Sequence, residues 1–202
     1  MDETLSKAER TRKFIIEKTA SIFNTQGYAG TSLSDLTQAT GLTKGSIYGN
    51  FENKEQVALA VFDHNYDRIL RTTRELINQA DTYREKLLIY SKVYHDFMES
   101  SFPQGGCPIL NTAIEADDTN HLLKNRAADA ILKWKENIVK LIQDGSLAGE
   151  FKPVLDGSQM ALSIIALIEG GVMIAKVTDS QKNLDEVLKT VKMLIDQMTV
   201  KL

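Results

Sequence analysis

The chain has 202 residues and a net charge of −3, with 43% hydrophobic and 25% charged residues. That composition suits a soluble globular protein long enough to bury a core without disulfides. The slightly acidic balance excludes a uniformly basic nucleic-acid coat protein but leaves room for a local basic patch.

The single cysteine, Cys107, excludes an internal disulfide. The charged start MDETLSKAER lacks the apolar stretch of a signal peptide. The most apolar segment, 160–177, is interrupted by Glu169, Gly170, Gly171 and Lys176 and reads as too short for a membrane span. A cytoplasmic location is expected. The first 102 residues contain no proline, and five glycines (Gly27, Gly30, Gly41, Gly45, Gly49) precede a glycine-free stretch from 50 to 104. The expectation is a tightly turned N-terminal unit followed by long helices.

Helical periodicity dominates the chain, without a run of strict alternation. Ser6 and Glu9 have capping-box spacing for a first helix over 7–26, stopped by Gly27. Its buried stripe is read as Phe14, Ile15, Thr19, Ile22 and Phe23. Thr31 or Ser32 caps a second helix through Thr40, with Leu33, Leu36 and Ala39 inward, and Gly41 permits a sharp turn. Thr43 opens a short third helix carrying Ile47 and Phe51 inward. Asn53 and Gln56 open a fourth to about 79, on which Leu59, Phe62, Tyr66, Ile69, Thr73 and Leu76 form a seam.

A fifth helix starts at Asp81-Thr82 and is ended by Pro103. A sixth runs over 108–117, with proline in its first turn. A seventh begins at Asp118 or Thr119, buries Ala127, Ile131, Trp134, Ile138 and Leu141, and ends at Gly145. Gly145 to Pro153 reads as a loop. Asp156 and Gln159 open the eighth helix, with Ala161, Ile164, Ile165, Ile168, Val172 and Ala175 on one side. Asn183 and Glu186 open the ninth, with Leu188, Val191, Ile195 and Met198 inward. The fold class is therefore all-α with about nine helices. An N-terminal three-helix domain (1–51) is expected before a C-terminal helical bundle (52–202).

Residues 31–51, TSLSDLTQATGLTKGSIYGNF, pair two short helices across a glycine turn, the pattern of a helix-turn-helix. The outward residues of its second helix are Thr43, Lys44, Ser46, Tyr48 and Asn50, suited to phosphates and base edges. Thr43 at the helix start is a natural anion site, and Gly45 lets the backbone approach DNA. A merely structural hairpin has the same pattern. Enzyme readings find no support: GLTKGS lacks P-loop spacing, GxGxxG, HExxH and GxSxG are absent, and His64, His95 and His121 have no metal-ligand pattern. No enzyme activity, cofactor or metal is expected.

Residues 14–61 resemble the N-terminal domain of the TetR family of transcriptional regulators. The likeness rests on Ile15, Ala20, Phe23, Gly27-Tyr28, Thr31-Ser32, Leu36, Gly41-Leu42, Lys44-Gly45-Ser46-Ile47-Tyr48, Phe51 and Lys54-Glu55. Carried over, it implies that Thr43, Lys44, Gly45, Ser46, Tyr48 and Asn50 belong to the recognition helix and its end. Lys54 resembles the family's phosphate-contacting lysine, and Thr31 and Ser32 would also hold phosphates. Gly49-Asn50 departs from the larger pair, often ending in histidine, that the family carries before the phenylalanine. Within 1–56, seven basic residues balance seven acidic ones, and five of the basic residues lie between Lys7 and Lys18. Such a basic first helix either follows the DNA backbone or is a solvated face.

The resemblance further implies a ligand-responsive regulator of double-stranded operator DNA, most often a repressor released from a near-palindromic operator. It implies a homodimer through helices at about 157–178 and 184–200, for which Leu162, Ile165, Gly170, Gly171, Ala175, Val191 and Ile195 are the interface candidates. A fully buried core helix in a monomer is the competing reading. It also implies a pocket for a small, partly apolar effector, with Phe62, Tyr66, Tyr90, Tyr94, Phe97, Met98, Trp134 and Ile168 as lining candidates. The same seam also reads as plain core. Residues 105–118, GGCPILNTAIEADD, resemble the LmrA/YxaF-like subgroup. Cys107, Asn111 and Glu115 share a helix face at four-residue spacing, offered either to a ligand or to capping and core. The alternative function is a helical interaction or small-molecule-binding module without DNA activity.

Overall fold

A computed structural model describes residues 5–97, 102–153 and 156–200. Among them lie α1 (Lys7–Gly30), α2 (Leu33–Thr40), α3 (Lys44–Tyr48), α4 (Lys54–Gln79), α5 (Tyr83–His95), α6 (Pro108–Ala116), α7 (His121–Leu147), α8 (Gly157–Thr178) and α9 (Gln181–Met198). An isolated antiparallel bridge joins Phe151 to Thr199. The fold is all-α.

The chain groups into two compact units, 1–68 with 103–127 and 69–102 with 128–202. The first therefore takes in more than 1–51: the first half of α4, all of α6 and the start of α7 belong to it. Its core joins Ile15, Ala20 and Phe23 of α1 to Leu36 of α2 and Ile47 of α3. Phe51, then Val57, Ala58, Leu59 and Val61 of α4, Ala116 of α6 and Leu123 of α7 complete it. Phe14, expected in the buried stripe, is 38% exposed. At 100° per residue the arc centred on Ile15 and Phe23 leaves it at the edge.

The second unit is built on α8 packed along α9, with α5 against α9. Ala161, Ile164, Ile165, Ile168, Gly171, Val172 and Ala175 of α8 are buried, as are Leu184, Leu188, Val191, Ile195 and Met198 of α9. Helix α8, of 22 residues, is long and apolar enough to cross a membrane by length and composition alone, with a mean hydropathy of 1.9 over an 18-residue window. The expectation that this stretch is too short is corrected. The helix nonetheless reads as a core helix, its buried stripe set against α9.

Caps account for most helix starts. Ser6 with Glu9 and Thr82 with Glu85 form complete capping boxes. Asp156 accepts from the Ser158 and Gln159 amides at the head of α8. Four boundaries differ from expectation. Asp96 leaves the helical region (φ −86°, ψ 19°), so α5 ends at His95 rather than at Pro103. Asn120, not Asp118 or Thr119, caps α7, its Oδ1 accepting from the Leu123 amide at 2.9 Å. Gly145 does not end α7, which runs on to Leu147, and a Cβ on Gly145 would fall 2.4 Å from the Phe151 ring. It is the seat of that ring. Helix α9 starts at Gln181, and Asn183 turns its amide to Thr178 Oγ1 at 2.9 Å.

Candidate nucleic-acid interface

The segment from Gly27 to Lys54 builds a helix-turn-helix from local rules. Gly27 breaks α1 with φ 75° and ψ 178°, leaving residues 28–30 as a separate helical stub. Ser32 accepts from the Asp35 amide while the Asp35 carboxylate accepts from the Ser32 amide, closing a capping box on α2. Hydrogen bonding to Ser32 holds the Asp35 carboxyl below its ordinary range. Gly41 ends α2 in the left-handed region (φ 68°), its amide bonded to Thr37 O. Thr43 then caps α3 through Oγ1, which accepts from the Ser46 amide at 3.2 Å. Ile47 alone in α3 is buried, so the helix is anchored on one side chain.

Thr43, Lys44, Gly45 and Gly49 are exposed, and Ser46, Tyr48 and Asn50 are half-buried. The Lys44 ammonium lies 6.0 Å from the Tyr48 ring centroid. Asn50 turns inward, its Nδ2 donating to Ser46 O at 2.8 Å, so the expected outward amide instead closes the last turn of the helix. Arg12 is one of the basic residues of α1 between Lys7 and Lys18. Its guanidinium stacks 3.9 Å above the Phe51 ring and donates to Asn50 O at 2.8 Å. It fastens the end of α3, a role that spacing alone does not reveal.

Three of the residues expected on phosphates have other work. Thr31 is fully buried and donates from Oγ1 to Gly27 O at 2.6 Å, which corrects the expectation of a phosphate contact. The Ser32 hydroxyl donates to Asp35 Oδ2 at 2.6 Å. Lys54 donates from Nζ to Tyr28 O and Thr31 O, both at 2.8 Å, and sits 4.3 Å from the Tyr28 ring centroid. Two of its three N–H donors are spent on backbone carbonyls.

The Cys107, Asn111 and Glu115 face is likewise turned to the protein. Cys107 is fully buried at the N-cap of α6. Asn111 Nδ2 donates to Asn24 O and Gly105 O, both at 3.0 Å. Glu115 accepts from the Tyr28 and Ala29 amides, each at 2.8 Å. Asn24, another residue the sequence does not flag, donates from Nδ2 to Gln104 O at 2.8 Å and Gly106 O at 2.9 Å. The capping and core reading of this face therefore replaces the ligand reading.

Among the aromatic candidates, Phe62 and Tyr66 belong to the first unit, with ring centroids 6.1 Å apart. Tyr90, Tyr94, Phe97, Trp134 and Ile168 are buried in the second. Tyr94 stacks on Trp134 at 5.0 Å and meets Phe102 edge-on at 5.4 Å. Burial pushes the Tyr90 phenol up to about 12. Trp134 Nε1 and Ser91 Oγ are buried without a hydrogen-bond partner among the described residues. Met98 lies outside the described residues. A cavity of about 40 Å³ beside Ile69, Leu76, Val93 and Phe102 has room for roughly one water.

The interface candidates divide as well. Ile165, Gly171, Ala175, Val191 and Ile195 are buried within the chain's own α8–α9 core, and a Cβ on Gly171 would lie 2.8 Å from Leu184 Cδ1. Their place in a subunit interface is corrected: these small and branched residues bring α8 onto α9. Gly170 has open space beside it and Leu162 is 46% exposed. Met173, Ile174, Val177 and Met193 are also exposed.

Residues 15–61 match the family model described as bacterial regulatory proteins, tetR family, and 84–191 match the tetracyclin repressor-like C-terminal domain. The chain belongs to the TetR family. It is similar to a TetR-family regulator from Cytophaga hutchinsonii, with 51% identity over 98% of this chain and 99% of that one, and a TM-score of 0.95. The transcriptional repressor DhaR of Mycobacterium sp. is 24% identical over 89% of each chain. The uncharacterized regulator YxaF of Bacillus subtilis is 21% identical over 82% of this chain and 84% of its own. The chain is a DNA-binding transcriptional regulator of this family. A helical module without DNA activity is not favoured.

Proposed function

We propose that this TetR-family chain is a cytoplasmic, homodimeric repressor without enzyme activity, released from a near-palindromic operator by a small, partly apolar effector. The observation that carries the reading is the presentation of α3. One buried anchor, Ile47, leaves Thr43, Lys44 and Gly45 exposed, with the half-buried Ser46 and Tyr48 flanking them. Tyr48 and Lys44 are assigned to base edges and Thr43 and Ser46 to phosphates or bases. The third N–H of Lys54 is left for a phosphate. A lone head reads few base pairs, so two heads spaced by about one helical turn are required. The exposed apolar side chains Leu162, Met173, Ile174 and Val177 of α8 and Met193 of α9 support a second copy as the partner.

The buried Trp134 Nε1 and Ser91 Oγ support an effector that brings hydrogen-bond acceptors to an otherwise aromatic interior. The test is gel-shift competition with the DNA upstream of the gene. Wild type is expected to bind specifically and with strong salt dependence, and Tyr48→Ala or Lys44→Ala to weaken that binding with the dimer intact. Unchanged affinity in both variants overturns the assignment of α3. A stable monomer at micromolar concentration in light scattering overturns the dimer.

A further inference from the structure

Glu115 occupies an unusual position for a surface carboxylate. It stands on α6, outside the segment that builds the helix-turn-helix, yet it closes the gap where Gly27 interrupts α1. Its Oε2 accepts from the Tyr28 amide and its Oε1 from the Ala29 amide, each at 2.8 Å. The carboxylate rests on the bare Cα of Gly27, where a Cβ would fall 2.4 Å from Oε2. The carbonyls of the same stretch are held by Lys54, whose Nζ donates to Tyr28 O and Thr31 O. The peptide 28–31, the covalent link between α1 and α2, is thus gripped by an anion at its amide end and a cation at its carbonyl end. Further up α6, Asn111 donates to Asn24 O, so the helix is tied to α1 at two points one turn apart.

We propose that Glu115 is a positioning residue for DNA reading: from α6 it fixes the stub 28–30, and through it the orientation of α2 and α3. The proposal rests on α3 being the reading helix. The carboxylate is matched to two converging N–H groups, and no other protonation or amide form serves both. Glutamine keeps the shape but offers one acceptor oxygen and places an NH₂ against the remaining amide. Shifting α6 along its axis by one residue, about 1.5 Å, lengthens both bonds at once.

The experiment uses the full chain. Glu115→Gln is expected to speed hydrogen exchange at the Tyr28 and Ala29 amides while leaving core amides of Ile15 and Phe23 protected. Operator affinity is expected to fall about tenfold, while affinity for unrelated DNA stays level or rises, because a negative charge has been removed near the phosphates. A bare charge effect moves both affinities upward, so the opposite signs separate positioning from electrostatics. Glu115→Asp, which keeps the charge but is one methylene shorter, is expected to fall between wild type and Glu115→Gln, and it substitutes should the glutamine variant fail to fold. A glutamine variant that binds the operator within about twofold of a binding wild type, or an aspartate variant indistinguishable from wild type where the glutamine variant does not fold, overturns the positioning role alone. A wild type that binds no upstream DNA overturns the reading of α3, and the positioning role with it.

Discussion

In the first unit the decisive contacts run from side chains to backbone ends: Glu115 on two amides, Lys54 on two carbonyls, Arg12 on Asn50 O and Asn24 on Gln104 and Gly106. In the second, α8 and α9 are held by apolar contact, with Ile164, Ile168, Val172, Leu184, Val191 and Ile195 each at most 1% exposed. The difference teaches where each unit tolerates change. Apolar packing is non-directional and fails in proportion to the volume removed. A capped terminus fails when a single acceptor or donor is lost, and it fails locally.

The comparison is broken most strongly in the second unit. Ile168→Ala is expected to cost about 2–5 kcal/mol in chemical unfolding, and a loss below about 1 kcal/mol removes the claim that this packing dominates. Lys54→Met should cost less, about 1–3 kcal/mol, since it strands two carbonyls rather than opening a cavity. Its effect on the salt dependence of DNA binding should be smaller than that of Lys44→Ala; a full unit of salt slope lost in Lys54→Met would return it to the phosphate contacts. Thr43→Ala removes one cap and should cost about 1 kcal/mol, read by thermal melting.

Acid should act more gently, and on caps in both units. The Glu9, Asp35 and Glu85 carboxyls are lowered, chiefly by hydrogen bonds to Ser6, Ser32 and Thr82, from ordinary values of 4.5, 3.8 and 4.5. Their stabilising contribution is present above those ordinary values and is lost as pH falls through the lowered ones. Asp63 behaves in the opposite sense: desolvation raises it despite Arg126 at 2.9 Å, so its contribution weakens as pH rises. Asp63→Asn at neutral pH is therefore expected to change stability by no more than about 0.5 kcal/mol, and a larger loss would mean that the Arg126 pair outweighs desolvation.

Much of this architecture is legible in the sequence because it follows short-range rules. Capping boxes at Ser6 and Ser32, the left-handed Gly41 and the spacing of Ile15, Leu36, Ile47 and Phe51 are visible within a few residues of each other. What is hidden are contacts across long separations. Nothing local marks Glu115 as the partner of Tyr28 and Ala29, or Lys54 as a clamp on the carbonyls of Tyr28 and Thr31. The same blindness made the small residues of α8 look like a subunit interface. Gly171 and Ala175 permit a close approach, and in the folded chain the helix that approaches Gly171 is its own α9.

The bridge between Phe151 and Thr199 has a mechanical consequence. Lys152 N donates to Met198 O and Val200 N to Glu150 O, each at 2.8 Å, so the end of α9 is stitched to the turn that leads into α8. Helices α8 and α9 are thereby closed into a ring whose clasp lies at the carboxyl end of α9. Tension applied to that end loads the clasp and the Phe151 ring seated on Gly145 before it can peel α9. Unravelling from the tail should therefore begin with a force threshold instead of gradual fraying.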